Sequence, residues 1–386
     1  HHYLNKTGPY TEIFPEVLRL SEGNFYTDYC YHIAPMTTSQ LDEVEWLVET
    51  AGVTSFKFYM FYKALTLSAD STKGNEYTMA ENYDLGHLYE LMKKISHLSI
   101  KHQDKARISL SLHCENPELI RIFIEQVKRA GLQGLKAYSE ARPPLTEKLS
   151  VHEAAILADA TGCPINLLHL SSRDALQAGL DVRKTFPNHD IKLETTLHHL
   201  ALDHDELDKM GIGIKAKVNP PIRTRQHSEF LWEGIKRGWV DTVVSDHACC
   251  GEEHKNQGVW ESLPGFGGSS ILYQILLSEG AHKRGVPLTR VAELLSANPS
   301  KIFGLYPRKG TISIGADADL TIIDLELEKS INADMLLSAQ DHTPFEGFVA
   351  KGWPTHTIIR GRIMYENGNV VGGKTGEFIK RPATLI

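Results

Sequence analysis

Short apolar runs alternate with longer amphipathic stretches along most of the chain. Six runs, at 55–60, 108–112, 165–168, 191–196, 214–218 and 242–244, predict strands. Their near-continuous apolar character is what a strand buried on both faces requires. Tyr26 to Ile33 is a weaker strand candidate. Helical spacing fits Leu41 to Thr50, Leu85 to Ile95, Pro117 to Arg129, His152 to Thr161, Ser172 to Lys184 and Ser228 to Lys236. Asn116 before Pro117 reads as an N-cap followed by proline at the first helical position. The alternation implies βα units and a parallel sheet, so the fold class is α/β.

Six or seven such units nearly complete a (β/α)8 TIM-like barrel. A doubly wound sheet competes, but no GxGxxG opens any of the helices. The placing of polar residues favours the barrel. His113, His169 and Asp246 each stand at or just beyond the C-terminal end of an apolar run, the edge on which barrel active sites are built. After Gly304 the texture changes. Thr311 to Ile314, Ala318 to Ile323, Thr357 to Ile359 and Arg362 to Tyr365 predict short strands punctuated by glycines. The expected organisation is a barrel over 1–305 and a small C-terminal β-sandwich part over 306–386. The polar stretch Ser68 to Asn82 predicts a long surface loop, either a lid or a simple insertion.

Composition narrows the function classes. The formal net charge of -7 offers no attraction to nucleic acid or an anionic membrane surface, and no apolar run is long enough to predict a spanning helix. The chain opens on His1-His2-Tyr3, without the pattern of a secretory signal. Five cysteines, Cys30, Cys114, Cys163, Cys249 and Cys250, are odd in number and irregularly spaced. That argues against a disulfide framework and for a reducing, cytoplasmic compartment.

A histidine ending an apolar strand is commonly a packed core residue. A carboxylate there is costly to bury unless it is paired or bound to metal. Three such residues on one edge change the reading, because neutral imidazoles and a carboxylate together suit Zn2+ and similar ions. Lys57 interrupts the otherwise apolar Ser55 to Met60. It either snorkels or pairs with a carboxylate, or burial favours its neutral amine. A neutral amine adds CO2 to become a carbamate, which bridges divalent ions held with His113, His169 and Asp246.

These residues carry a family resemblance. Ser55 to Lys63 resembles the carboxylated-lysine strand of the hydantoinase and dihydropyrimidinase group of amidohydrolases. His113-Cys114-Glu115-Asn116, His169-Leu170-Ser171-Ser172 and Ser245-Asp246-His247-Ala248 resemble its later ligand strands. Lys217 to Arg223 resembles a substrate-contacting strand also seen in dihydroorotases and allantoinases. Asn298 to Leu305 and Arg308 to Leu320 resemble the exit from the barrel into a C-terminal sandwich. The chain departs from the family in lacking a His-x-His pair before Lys57. Adjacent His1 and His2 cannot both face inward from one strand. The expectation is that the first strand, its helix and the N-terminal part of the sandwich lie outside this sequence.

The resemblance implies metal-dependent hydrolysis of a cyclic amide, of hydantoin or dihydropyrimidine type, to an N-carbamoyl amino acid. It implies two divalent metal ions, Zn2+ first among them, bridged by a carbamylated Lys57. His113 and His169 bind one ion. Asp246 binds the other and acts as general base and proton shuttle. Tyr62 meets the oxyanion and Asn219 the ring imide. The partners implied are the small-molecule cyclic amide and further copies of the chain in a homotetramer. Allantoinase or dihydroorotase is the alternative, towards which Asn219-Pro220-Pro221 and Gly265 to Ser269 lean. The spacing from Lys57 to Tyr62 leans towards hydantoinase. A non-catalytic scaffold relative is the alternative of another class, disfavoured by the competent residue at each ligand position within the sequence.

Overall fold

The computed structural model describes residues 8–61 and 82–381. Five parallel strands, β1 (Ser55–Tyr59), β2 (Ser109–His113), β3 (Ile165–Leu167), β4 (Ile191–Thr196) and β5 (Thr242–Val244), pair in chain order. Helices return between them, as parallel pairing of consecutive strands requires. The register sets Tyr59 opposite His113, Leu112 opposite Leu167 and Thr196 opposite Val244. The weaker candidate at 26–33 shrinks to two isolated bridges, at Tyr29 and Ile33. The Lys57 amide donates to the Ile33 carbonyl at 2.8 Å and so continues the sheet past β1.

The apolar side chains of the strands, including Phe56, Phe58, Leu110, Leu112, Ile165, Leu167 and Leu193, share one buried core with the helices outside them. Full burial of each such side chain stabilises the fold by about 1.5–3 kcal/mol. In the helix Pro144–Thr161, Ala154, Ala155 and Ala158 form the buried face, where small side chains permit close approach. Caps fix where helices leave the C-terminal sheet edge. Asn116 Oδ1 accepts from the Leu119 amide at 3.1 Å, and Ser172 Oγ accepts from the Ala175 amide at 3.1 Å. Each cap lies three residues after a strand-end histidine, so strand, histidine and helix start are locked together locally.

Two expected strands are not strands. Within 214–218, Gly213–Ala216 forms a 3-10 turn, and the chain then runs irregularly to Thr224. Pro220 and Pro221 remove two consecutive backbone donors, so no ladder can propagate through this stretch. Thr311 to Ile314 is turn and bend, with Ile312 and Ile314 fully exposed. The flanking Gly310 and Gly315, at φ 79° and 92°, turn the chain instead of extending it. One helix that periodicity missed, Gly134–Ala141, follows β2 and bears directly on the site.

Beyond the barrel, β6 (Leu320–Ser330), β7 (Val349–Ile359), β8 (Arg362–Glu366) and β9 (Asn369–Val370) form an antiparallel sheet. Ala350 and Trp353 of β7 join a second core with Leu197, Phe266, Ile271 and Ile275. The sheet is therefore packed onto the barrel helices.

Candidate active site

His113 is the last residue of β2, and His169 stands two residues beyond β3. Their ring centroids are 4.4 Å apart, and both side chains are buried. Asp246 stands two residues beyond β5. His169 and Asp246 have φ of 36° and 45°, a left-handed conformation that costs a residue with a Cβ about 1–3 kcal/mol and gathers at functional sites. Burial lowers the pKa of both imidazoles, and that of His169 falls well below its ordinary value with His113 adding to the effect. Both rings are thus neutral and keep a lone pair.

His113 Nε2 lies 2.6 Å from Glu115 Oε2. Burial opposes ionisation of Glu115, but Arg142 and His113 outweigh it and hold the carboxyl down at about 2. A carboxylate can only accept, so the hydrogen sits on Nε2 and Nδ1 keeps the lone pair. His169 Nδ1 is buried with no hydrogen-bond partner among the described residues. An orphaned ring nitrogen beside a second neutral imidazole is a donor pair that fits a divalent ion.

Lys57, half-buried on β1, places Nζ 4.6 Å from the Tyr59 ring centroid. Burial pulls its pKa down, but Tyr59, Asp246 and Glu194 push it up and prevail. A neutral amine was one of the two alternatives for Lys57; the acidic surroundings shift it the other way. Lys57 acts electrostatically on both His113 and His169. Lys57 thus lies near both imidazoles and near Asp246. Tyr62 lies outside the described residues, as does nearly all of the Ser68 to Asn82 loop. Asn219, half-buried, accepts a hydrogen bond at Oδ1 from the Tyr138 hydroxyl at 2.5 Å.

Sequence reading missed several site residues. Glu194 is buried within β4, and burial together with Asp246 raises its pKa to about 7. Thr242 Oγ1 donates to its Oε2 at 3.1 Å. The available signal was a carboxylate inside an apolar strand, the same signal that marked Lys57. Arg142 donates from Nε to Glu115 Oε1 at 2.9 Å and from Nη2 to Oε2. Arg223 donates from Nη2 to Glu147 Oε2 at 2.9 Å, from Nε to Ser171 Oγ at 3.0 Å and from Nη1 to the Arg142 carbonyl at 2.7 Å. Both guanidiniums are buried and neutralised by buried carboxylates. A further acidic group at Asp203, His204 and Asp205 is a helix cap: Asp203 accepts from the amides of Asp205, Glu206 and Arg225.

Lys217 is buried 4.8 Å from the Tyr138 ring centroid and donates to the carbonyls of Trp260 and Ser262. Burial, with Lys255 and Arg142 adding to it, lowers its amine from 10.5 to about 7. Between those two values the unfolded chain holds a proton that the folded chain releases. Stability therefore rises with pH across that window. Urea unfolding at pH 7 and pH 9 is expected to show this rise, and Lys217→Met to flatten it; an equal rise in the variant would contradict the assignment.

The Amidohydrolase family profile matches residues 70–364. An L-hydantoinase from Paenarthrobacter aurescens is 32% identical over 274 residues, covering 70% of this chain and 59% of that protein. The chain's match thus spans under two thirds of that relative. An allantoinase from Rubrobacter xylanophilus is 31% identical over 384 residues, covering 98% of this chain and 78% of the relative. Dihydroorotases are also among the relatives. The solved structure of an L-hydantoinase (dihydropyrimidinase) from Arthrobacter aurescens superposes with a TM-score of 0.85 at 26% identity, over 96% of this chain and 77% of its own.

Proposed function

The chain belongs to the amidohydrolase family, and from that membership we propose that it hydrolyses a ring C–N bond of a hydantoin or dihydropyrimidine to give an N-carbamoyl amino acid. The observation that carries this reading is the pair of neutral, buried imidazoles, one with a bare Nδ1, near a lysine, Lys57, that Asp246 also approaches.

In this reading a carbamylated Lys57, His113, His169 and Asp246 would hold two divalent ions, with Zn2+ suited to the imidazole and carboxylate donors. Bound there, the ions would polarise the ring carbonyl and acidify a water. Asp246 takes the proton of the attacking water and delivers it to the leaving ring nitrogen. A C–O bond forms, the C–N bond breaks, and the nitrogen leaves protonated. Tyr62 donates to the carbonyl oxygen as negative charge develops on it. Asn219, held by Tyr138, orients the ring imide. His113 is oriented in turn by Glu115, the kind of outer partner that fixes a ligating imidazole.

The rest of the reading follows the resemblance: a barrel over 1–305, a β-rich segment over 306–386, a homotetramer and a cytoplasmic location. Among the described residues the antiparallel strands all fall after 305, and the five cysteines are free, which supports the first and last of these.

Allantoinase or dihydroorotase remains the second reading, favoured by relatives of those names. A dihydroorotate carboxylate calls for a placed guanidinium. Arg142 and Arg223 are each committed to a glutamate, which favours an uncharged ring. Turnover of hydantoin, dihydrouracil, allantoin and dihydroorotate by Zn2+-supplied protein, measured side by side, tests this. Hydantoin or dihydrouracil is expected to lead in kcat/KM by about tenfold or more; a lead for dihydroorotate would overturn the ring class. Turnover of none of the four, together with no bound metal, would point to a scaffold protein.

A further inference from the structure

Asn219 and His113 are far apart in the chain and belong to different parts of the proposed chemistry, one meeting the ring and the other the ions. A line of side chains, hydrogen-bonded at three links and packed at the fourth, joins them. His113 Nε2 meets Glu115 Oε2 at 2.6 Å, and Glu115 takes both Nε and Nη2 of Arg142. Arg142 lies against Tyr138, with its guanidinium carbon 5.8 Å from the ring centroid. The Tyr138 hydroxyl donates to Asn219 Oδ1 at 2.5 Å. Phe61 closes one flank, its ring centroid 4.3 Å from that of His113 and 5.4 Å from the Arg142 guanidinium carbon.

Packing removes slack from this line. Glu115 is 0% exposed, His113 3%, and Arg142 and Tyr138 6% each. The backbone on which Asn219 rides is anchored separately: His199 Nε2 meets the Pro220 carbonyl at 3.0 Å, and Arg223 reaches the Arg142 carbonyl. A buried charge pair admits few alternative geometries, because any rotation that breaks it strands an ion in a low dielectric. Hydrogen bonds in such a network also reinforce one another.

We propose that Glu115, Arg142 and Tyr138 are positioning residues that couple the orientation of His113 to that of Asn219, so that ion binding and ring binding report on each other. The inference rests on the reading of His113 as an ion ligand and Asn219 as a ring contact. Among the described residues the Tyr138 hydroxyl bonds Asn219 and not His113, yet it is predicted to influence both ends of the line.

The test uses the full chain as Tyr138→Phe, Glu115→Gln and the double variant. Zn2+ affinity is measured by chelator competition, kcat and KM on the best substrate of the panel, and the His113 ring nitrogens by 15N NMR of metal-free protein. Glu115→Gln is expected to weaken Zn2+ about 10- to 100-fold. Tyr138→Phe, which keeps the ring but removes the hydroxyl, is expected to raise KM, to weaken Zn2+ by about twofold or more and to shift the His113 ring signals. The double variant is expected to fall short of the product of the two single losses by at least about twofold.

A KM effect of Tyr138→Phe with unchanged Zn2+ affinity and unchanged His113 signals would overturn the coupling, as would full additivity. Absence of Zn2+ binding by the wild-type chain would overturn instead the reading on which the coupling rests. The ring signals of the metal-free variants would still decide whether the line transmits.

Discussion

Lys57→Ala is expected to lower kcat/KM by about 10³-fold or more, roughly 4 kcal/mol of transition-state stabilisation, and to reduce bound metal from about two ions per chain. The lysine stands on β1 with Tyr59, Asp246 and Glu194 around its amine and acts on both imidazoles. Truncation removes the amine that this strand contributes. It also leaves Asp246 and Glu194 facing each other without a cation, in surroundings that already raise Glu194 to about 7. Metal analysis and steady-state kinetics on the same preparation check this, and mass spectrometry of intact wild-type protein checks for one added CO2. A variant that keeps its metal and its turnover within tenfold of wild type would remove Lys57 from the site. Because the folded surroundings favour the protonated amine, CO2 addition is expected to need metal ions as well as bicarbonate.

Arg223→Ala is expected to destabilise the protein by about 3–5 kcal/mol. The guanidinium is the partner of Glu147, which burial already pushes upward in pKa. It also serves Ser171 Oγ, the Ser139 carbonyl and hydroxyl, and the Arg142 carbonyl. Its loss strands a buried carboxylate and unpairs several buried acceptors at once. Urea denaturation measures the loss. Adding Glu147→Gln is expected to recover a substantial part of it, because the stranded charge and not the missing contact dominates. A loss below about 1 kcal/mol, the range of an exposed pair, would contradict this account. The same anchor holds the Asn219 segment, so a residually folded variant should also show a raised KM.

Where local pattern and tertiary environment agreed, the chain was readable. β4 and β5 coincide with their apolar runs, and the helix Pro117–Arg129 begins and ends where its cap and periodicity put it. Reading failed where a local signal was ambiguous. The run at 214–218 is apolar because Ala216 and Val218 pack into the second core, and burial does not specify a strand. The run at 311–314 carries β-branched residues but meets no partner strand. The helix Gly134–Ala141, short and glycine-initiated, falls below what periodicity resolves, yet it supplies Tyr138 and leads into Arg142.

The sequence by itself determined the class of the sheet, the strand-end positions of His113, His169 and Asp246, and the place of Lys57 within a strand. Two-sided burial writes an apolar run into the chain, and any polar residue that interrupts or ends it stands out. Only the tertiary structure decided the pairings: Glu115 with Arg142, Glu147 with Arg223, Glu194 beside Asp246, and Tyr138 with Asn219, 81 residues apart. A glutamate or arginine is the same letter whether solvated or buried. Its desolvation cost and compensating Coulomb attraction exist only once the chain has closed around it.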